Sequence, residues 1–168
     1  MAFSLIPQGV LNNIYQLEGP VLAAQGITLV LADLDNTLAR YGQSEPEQKL
    51  REWVTDLHNN GVELFILSNS RKPTHVKSFS HSLGVPYLGH AGKPKTGGFR
   101  KALEQMGRRP EETLMIGDQI FTDVLGANRA GIRVCLIEPI QLAGNPGRYL
   151  RYGVETPFRV LGRRRGTK

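Results

Sequence analysis

Two aspartates, Asp33 and Asp35, stand at the end of the apolar run ITLVLA (27 to 32), in the stretch DLDNTL (33 to 38). Aspartate is depleted in strands and costly to bury without a partner. Carboxylates about 6 Å apart repel by roughly 3 kcal/mol at an effective dielectric near 20. Side chains two positions apart on an extended segment point the same way, so both carboxylates address one place. A hard divalent cation such as Mg²⁺ takes oxygen ligands and offsets the repulsion. Further along, GDQIFTD (117 to 123) adds Asp118 and Asp123, GKPKTGG carries Lys93 and Lys95, and FILSNS ends in Ser68, Asn69 and Ser70. Carboxylates, one metal, a lysine and neutral donors suit phosphoryl transfer. With its charge offset, a phosphate can be attacked by one carboxylate while another protonates the leaving oxygen and then activates water.

The elements that must position these residues are legible in the apolar pattern. Continuous apolar runs at 27 to 32, 62 to 67, 113 to 116 and 132 to 137 read as buried strands, with Pro86 to Leu88 as a short fifth. Between them lie helical spacings: Leu50, Trp53, Val54 and Leu57 up to Gly61, with Ser44 and Glu47 as an expected capping box; Val76, Phe79 and Leu83 up to Gly84; Phe99, Leu103 and Met106; and Val124, Leu125 and Ala127 up to Gly131. Buried strands alternating with helices predict an α/β fold, a doubly wound, Rossmann-like parallel sheet of about five strands with helices on both faces. Such sheets carry their sites beyond the carboxyl ends of the strands. Asp33 and Asp35, Ser68 and Asn69, and Gly117 and Asp118 all fall at strand ends, which folding needs alone do not explain.

DLDNTL, the apolar run ending in Ser68, Lys93 followed by Pro94, and GDQIFTD resemble the four motifs of the haloacid dehalogenase (HAD) phosphatases, in the family's order and with no departure at a motif position. They frame residues 27 to 137. The resemblance implies a HAD-like fold, with Asp33 as the nucleophile that becomes an aspartyl-phosphate and Asp35 as general acid, then base. It implies Mg²⁺ held by Asp33, Asp118 and the main-chain carbonyl of Asp35, with Asp123 supporting that shell. Ser68, Asn69 and Lys93 would hold the phosphate, and Thr37 would steady the loop. Lys95 is the lesser candidate, since the family's lysine precedes a proline. The gaps from Asp35 to Ser68 and from Ser68 to Lys93 hold no inserted cap domain. With IPQGVLNNIYQL (6 to 17) ahead of the first strand, the chain looks like the capless subclass IIIA phosphatases of the bacterial YqeG group. Those are similar to mitochondrial phosphatases that convert phosphatidylglycerophosphate to phosphatidylglycerol.

The rest of the sequence sets the frame. The division expected is an N-terminal helical segment (1–26), a HAD-like core (27–140) and a C-terminal extension (141–168) ending in RRRGTK, read as a solvated tail with docking as the lesser reading. Val10, Leu11, Ile14 and Leu17 could line one helix face, packed on the sheet or facing a membrane. A net charge of +6 points to an anionic partner: a phosphorylated substrate, a phospholipid or an anionic membrane met peripherally. A single cysteine, Cys135, and the lack of a leader pattern or a spanning run imply a cytoplasmic protein. His58, His75, His81, His90 and Cys135 show no metal-ligand spacing and read as structural or solvated, with His90 close enough to Lys93 to line the site. Alternatives are a phosphatase for a soluble sugar phosphate, nucleotide or nucleic-acid end, a non-catalytic phospho-acceptor, and a nucleic-acid binder. Against the acceptor stands Asp35, and against the binder stands the carboxylate set.

Overall fold

The computed structural model describes residues 4–142 and 146–166. Six parallel strands form one sheet: β1 (Gly9–Leu11), β2 (Leu29–Ala32), β3 (Glu63–Leu67), β4 (Tyr87–Leu88), β5 (Thr113–Gly117) and β6 (Arg133–Ile137), in the order β1-β6-β5-β2-β3-β4. Helices α1 (Gly19–Ala24), α2 (Gln48–Asn59), α3 (Pro73–Leu83), α4 (Gly97–Met106), α5 (Leu125–Arg129) and α6 (Pro146–Gly166) accompany it. The chain leaves β2 for β3 on one side and later returns to place β5 on the other. The switch point therefore lies at the carboxyl ends of β2 and β5, where Asp33 and Asp118 emerge.

Alternation along each strand divides the core into two layers. Val30, Ala32, Leu64, Ile66, Leu114 and Ile116 face α2 and α3 through Trp53, Leu57, Val76 and Phe79. Leu29, Leu31, Phe65, Leu67, Met115 and Val134 face Phe99, Leu103, Val124 and Ala127. Each fully buried side chain of this size contributes roughly 1.5–3 kcal/mol. The helices keep the faces their spacing predicts, with Leu50, Trp53, Val54 and Leu57 buried along α2. No cap domain interrupts the described residues; α2 alone separates β2 from β3, and α3 separates β3 from β4.

Three expectations change. The sheet has six strands because Gly9–Leu11 is extended and pairs with β6 through Gly9–Cys135, Val10–Leu136 and Leu11–Ile137. Val10 and Leu11 therefore leave through opposite faces of the sheet and share no helix face with Ile14 and Leu17; a three-residue strand is too short for its alternation to show in sequence. The Ser44 capping box is absent: α2 starts at Gln48 after Glu47, and no side chain caps it. Finally, the basic C-terminal stretch is helical and exposed from Arg163 to Gly166, and Thr167 and Lys168 lie outside the described residues. Residues Pro146–Gly166 form one helix that crosses β1 at Gly162, where a Cβ would come within 2.6 Å of the Pro7 ring. Pro157 inside α6 removes one N–H and hid this helix from a propensity reading.

Candidate active site

The loop after β2 carries Asp33, Asp35, Asn36 and Thr37 and folds back on itself: Asn36 N donates to Ala39 O (2.7 Å) and Leu38 N to Leu34 O (3.0 Å). Asn36 takes a left-handed φ of 63°, tolerated by asparagine. Thr37 is buried, but its hydroxyl has no hydrogen-bond partner among the described residues, so the loop is held by main-chain bonds. After β5, Gly117 and Asp118 lead into a wide π-helical turn, Ile120–Val124. That turn brings Asp123 back beneath Gly117, where any Cβ would clash with the Asp123 carboxylate; only glycine fits. Asp123 Oδ2 accepts from Gln119 N at 3.2 Å.

Lys93 reaches into the space between these loops. Its Nζ lies 2.8 Å from Asp33 Oδ1 and 2.7 Å from Asp123 Oδ1, and the side chain is almost wholly buried. Asn69 fixes its backbone from the end of β3: Asn69 Nδ2 donates to Lys93 O and Asn69 Oδ1 accepts from Lys93 N, both at 2.9 Å. Ser68 is buried beside it, its Oγ accepting from Ser70 N at 3.0 Å.

Asp33, Asp118 and Asp123 bring one carboxylate oxygen each within 4.8 Å of one another. At that separation each like-charge pair costs about 3–4 kcal/mol at an effective dielectric near 20. One lysine offsets one charge, so the cluster stays net negative. Burial, then Asp33 and Asp123, push the Asp118 carboxyl well above the usual range. Burial and Asp33, against the pull of Lys93, hold Asp123 at about 6. The same excess of carboxylate overcomes the desolvation of Lys93 and pushes its ammonium above its ordinary value. Asp118 Oδ1 is buried with no hydrogen-bond partner among the described residues. An orphaned carboxylate oxygen inside a buried, under-neutralised acidic cluster fits a cation, and oxygen donors suit a hard one.

A cavity of about 130 Å³ opens over this cluster, lined by Asp33, Asp35, Ser68, Asn69, Lys93 and, at the rim, Tyr41 and Arg148. Burial and the neighbouring Asp33 raise the Asp35 carboxyl, and His75 offsets part of that rise. His75 Nε2 lies 3.6 Å from Asp35 Oδ1. The histidine's position one turn into α3, just after the β3 loop, was the only sequence signal for it. Arg148 on α6 stacks over Tyr41, 4.6 Å from the ring centroid, and Lys72 lies 5.7 Å from the same ring. His90 and Lys95 are exposed and do not line this cavity; Arg40 lines a separate one of about 330 Å³ that touches none of Asp33, Asp35, Asp118 or Asp123. The larger cavity has no cluster of carboxylates around a lysine to match the smaller, so the smaller is the candidate site.

Behind the loop that carries Asp118, α6 places a buried ion pair. Glu155 Oε1 accepts from Ile120 N (2.9 Å), and Arg159 Nη2 donates to Asp118 O (2.7 Å) and Glu155 Oε2 (3.1 Å). A second carboxylate, Glu138 after β6, meets Arg159 Nη1 at 3.3 Å.

Residues 6–131 match the family model of the haloacid dehalogenase-like hydrolases. The chain is 32% identical over 156 residues to the probable phosphatase YqeG of Bacillus subtilis, covering 93% of this chain and 89% of that one. It is 26% identical over 149 residues to a chloroplastic phosphatidylglycerophosphate phosphatase 1 of Chlamydomonas reinhardtii, covering 84% of this chain and 55%, about half, of the algal protein. In three dimensions it is similar to the cobalt-bound deoxy-D-mannose-octulosonate 8-phosphate phosphatase of Haemophilus influenzae, with a TM-score of 0.54 and 16% identity over 68% of this chain and 70% of that one. With the family model spanning most of its length and the four motifs meeting in one cavity, the chain belongs to the haloacid dehalogenase-like hydrolases, as a phosphatase of that family.

Proposed function

We propose that the chain hydrolyses a phosphomonoester through an aspartyl-phosphate on Asp33, with Mg²⁺ as its cation, and that its substrate is phosphatidylglycerophosphate, yielding phosphatidylglycerol. The observation that carries the reaction is the buried trio Asp33, Asp118 and Asp123 around Lys93, under a cavity that Asp35 and Ser68 line. Asp33 and Asp118, with the main-chain carbonyl of Asp35, would hold the ion. When bound, it supplies positive charge against the phosphate oxygens.

Lys93 and Ser68 orient the phosphate. A carboxylate oxygen of Asp33 forms a bond to phosphorus as the bond to the leaving oxygen breaks, and Asp35 gives its proton to that oxygen. The raised affinity of Asp35 for its proton suits this role. Asp35, now ionised, takes a proton from water; the water oxygen bonds to phosphorus, the bond to Asp33 breaks, and inorganic phosphate leaves. Asp123 and Asn69 hold Lys93 in place.

The lipid substrate is supported by the algal phosphatidylglycerophosphate phosphatase named above and by a site without a cap, which leaves room for a phosphate on a large body; such a substrate has to be met peripherally at a membrane. Phosphate release from phosphatidylglycerophosphate in micelles, from a sugar phosphate and from a nucleotide decides the matter. The lipid should give the highest kcat/KM, with activity lost in EDTA and restored by Mg²⁺. A clear preference for the sugar phosphate would replace the lipid with a soluble substrate. Asp33→Asn and Asp35→Asn should each lose turnover while remaining folded, and wild-type turnover in either removes the mechanism.

A further inference from the structure

The catalytic cavity continues past the reacting groups. Asn36, Gln119 and Arg148 line it, and the same three residues line a second cavity of about 30 Å³ beside α6. The two spaces therefore share a wall, and that wall is polar. Asn36 is buried in it, and its Oδ1 has no hydrogen-bond partner among the described residues. A buried polar atom without a partner calls for a polar ligand or a water to meet it. The smaller cavity takes about two water-sized groups, which suits a pair of oxygens and excludes a ring or an acyl chain.

Charge decides which oxygens fit. Arg148, Arg151 and Arg159 all line the smaller cavity. Arg159 is neutralised there by Glu155 and Glu138. Glu155 in turn is engaged by Arg159 and by the Ile120 N–H, and Asp118 belongs to the acidic trio. Arg148 and Arg151 have partners too, but neutral ones: the Tyr41 ring, 4.6 Å away at its centroid, and Gln119 Oε1 at 2.7 Å. Such contacts hold a guanidinium in place without cancelling its charge. Stacking on Tyr41 uses the face of the group and none of its N–H donors. The bond to Gln119 uses one of the five that Arg151 carries. Spaced three residues apart, the two arginines are neighbours on one face of α6.

We propose that Arg148 and Arg151 form a second-anion subsite beside the catalytic cavity. The substrate is then a phosphomonoester that carries a further phosphate or phosphodiester, a short polar link away from the phosphate that is removed. Planar guanidinium groups recognise such oxygen pairs by paired N–H donors. The subsite rests on the phosphatase reading of the cavity. Its chemistry is met equally by the phosphodiester of a lipid headgroup and by the second phosphate of a soluble bisphosphate.

Two pairs of substrates that differ in the second anion test it. Glycerol phosphate is compared with glycerophosphoglycerol phosphate, the lipid headgroup without acyl chains, and fructose monophosphate with fructose bisphosphate. In the wild type the second anion should lower KM about tenfold or more in at least one pair, with a smaller change in kcat. Arg148→Ala/Arg151→Ala should bring the kcat/KM ratio within that pair close to one, and Arg148→Lys/Arg151→Lys should restore part of it. Lys101→Ala/Arg129→Ala, which removes the same charge outside both cavities, should keep the preference. A preference in the glycerol pair assigns the second anion to a headgroup, and one in the fructose pair to a soluble bisphosphate; either supports the subsite. A wild type without preference in both pairs overturns it, as does a double alanine variant that keeps the preference or a control that loses it equally. Should the double alanine variant misfold, Arg148→Gln alone decides by the same ratio. Calorimetric binding of the same compounds to Asp33→Asn with Mg²⁺ reads the preference without turnover. A wild type that hydrolyses none of them, with the preference intact in binding, removes the phosphatase reading and leaves the subsite standing.

Discussion

Arg159, near the end of the chain, donates a 2.7 Å hydrogen bond to the main-chain carbonyl of Asp118. The loop that carries Asp118 is thereby held from behind by α6, through a guanidinium that also pairs with Glu155 and Glu138. Removing Arg159 would leave Glu155 buried without its cation, which costs about 3–5 kcal/mol. Arg159→Ala should lower the unfolding free energy by about that amount in urea melts and weaken the catalytic metal. Arg159→Met with Glu155→Gln should recover most of the stability, since a buried pair replaced together is far less costly than one broken. A loss under 1 kcal/mol in the single variant would mean that α6 does not brace the loop.

The acidic cluster makes stability depend on the cation and on pH. Folding raises the carboxyls of Asp118 and Asp123 above their ordinary 3.8, Asp123 to about 6. A folded state that holds protons more tightly than the unfolded one loses stability as pH rises through that window. Mg²⁺ needs the carboxylates ionised, so the rise in melting temperature it gives should grow from near pH 4 to above pH 6. Asp118→Asn should raise the metal-free melting temperature, by about 2–4 °C for each kcal/mol of repulsion relieved, and should abolish the response to Mg²⁺. A metal response that is flat with pH would contradict this account.

The sequence carried the sheet centre and the catalytic motifs because both are written in strong local patterns. Continuous apolar runs mark β2, β3, β5 and β6, and charged residues at their ends stand out because nothing else would put them there. What escaped was set by tertiary contact. Gly9–Leu11 is a strand only because β6 offers an edge to it. α6 has a proline in its interior and charge on its buried side, so neither propensity nor the apolar stripe points it to the core. Asn69, read as a phosphate donor, lines the cavity, and its bonds to the backbone of Lys93, a partner 24 residues away, were not legible.

That contact separates two neighbours in the same motif. Both residues line the cavity, but Asn69 also holds the backbone of Lys93. Ser68→Ala should raise KM with a smaller change in kcat. Asn69→Ala should lower kcat about tenfold or more, as an outer-shell partner does, while Asn69→Asp, which keeps only the acceptor, should recover part of it. Steady-state kinetics on one soluble phosphomonoester measures both, and equal KM effects in the two alanine variants would place Asn69 on the phosphate after all.

His75 is the residue whose importance the sequence least suggested. Its Nε2 lies 3.6 Å from Asp35 Oδ1, too long for a hydrogen bond, and neither buried atom has another hydrogen-bond partner among the described residues. A small movement of either side chain closes the gap. Burial and Asp33 raise the Asp35 carboxyl, and the imidazole offsets part of that push. Without it, Asp35 holds its proton to higher pH, which favours protonation of the leaving oxygen but starves the later step of its base. His75→Phe keeps the ring beside Phe79 and removes the polar edge. The alkaline limb of the kcat/KM profile should move to higher pH, and kcat near neutrality should fall about tenfold. His75→Gln, which restores a donor, should recover much of kcat. An unmoved pH profile in His75→Phe, with kcat intact, would reduce His75 to a packing residue of α3.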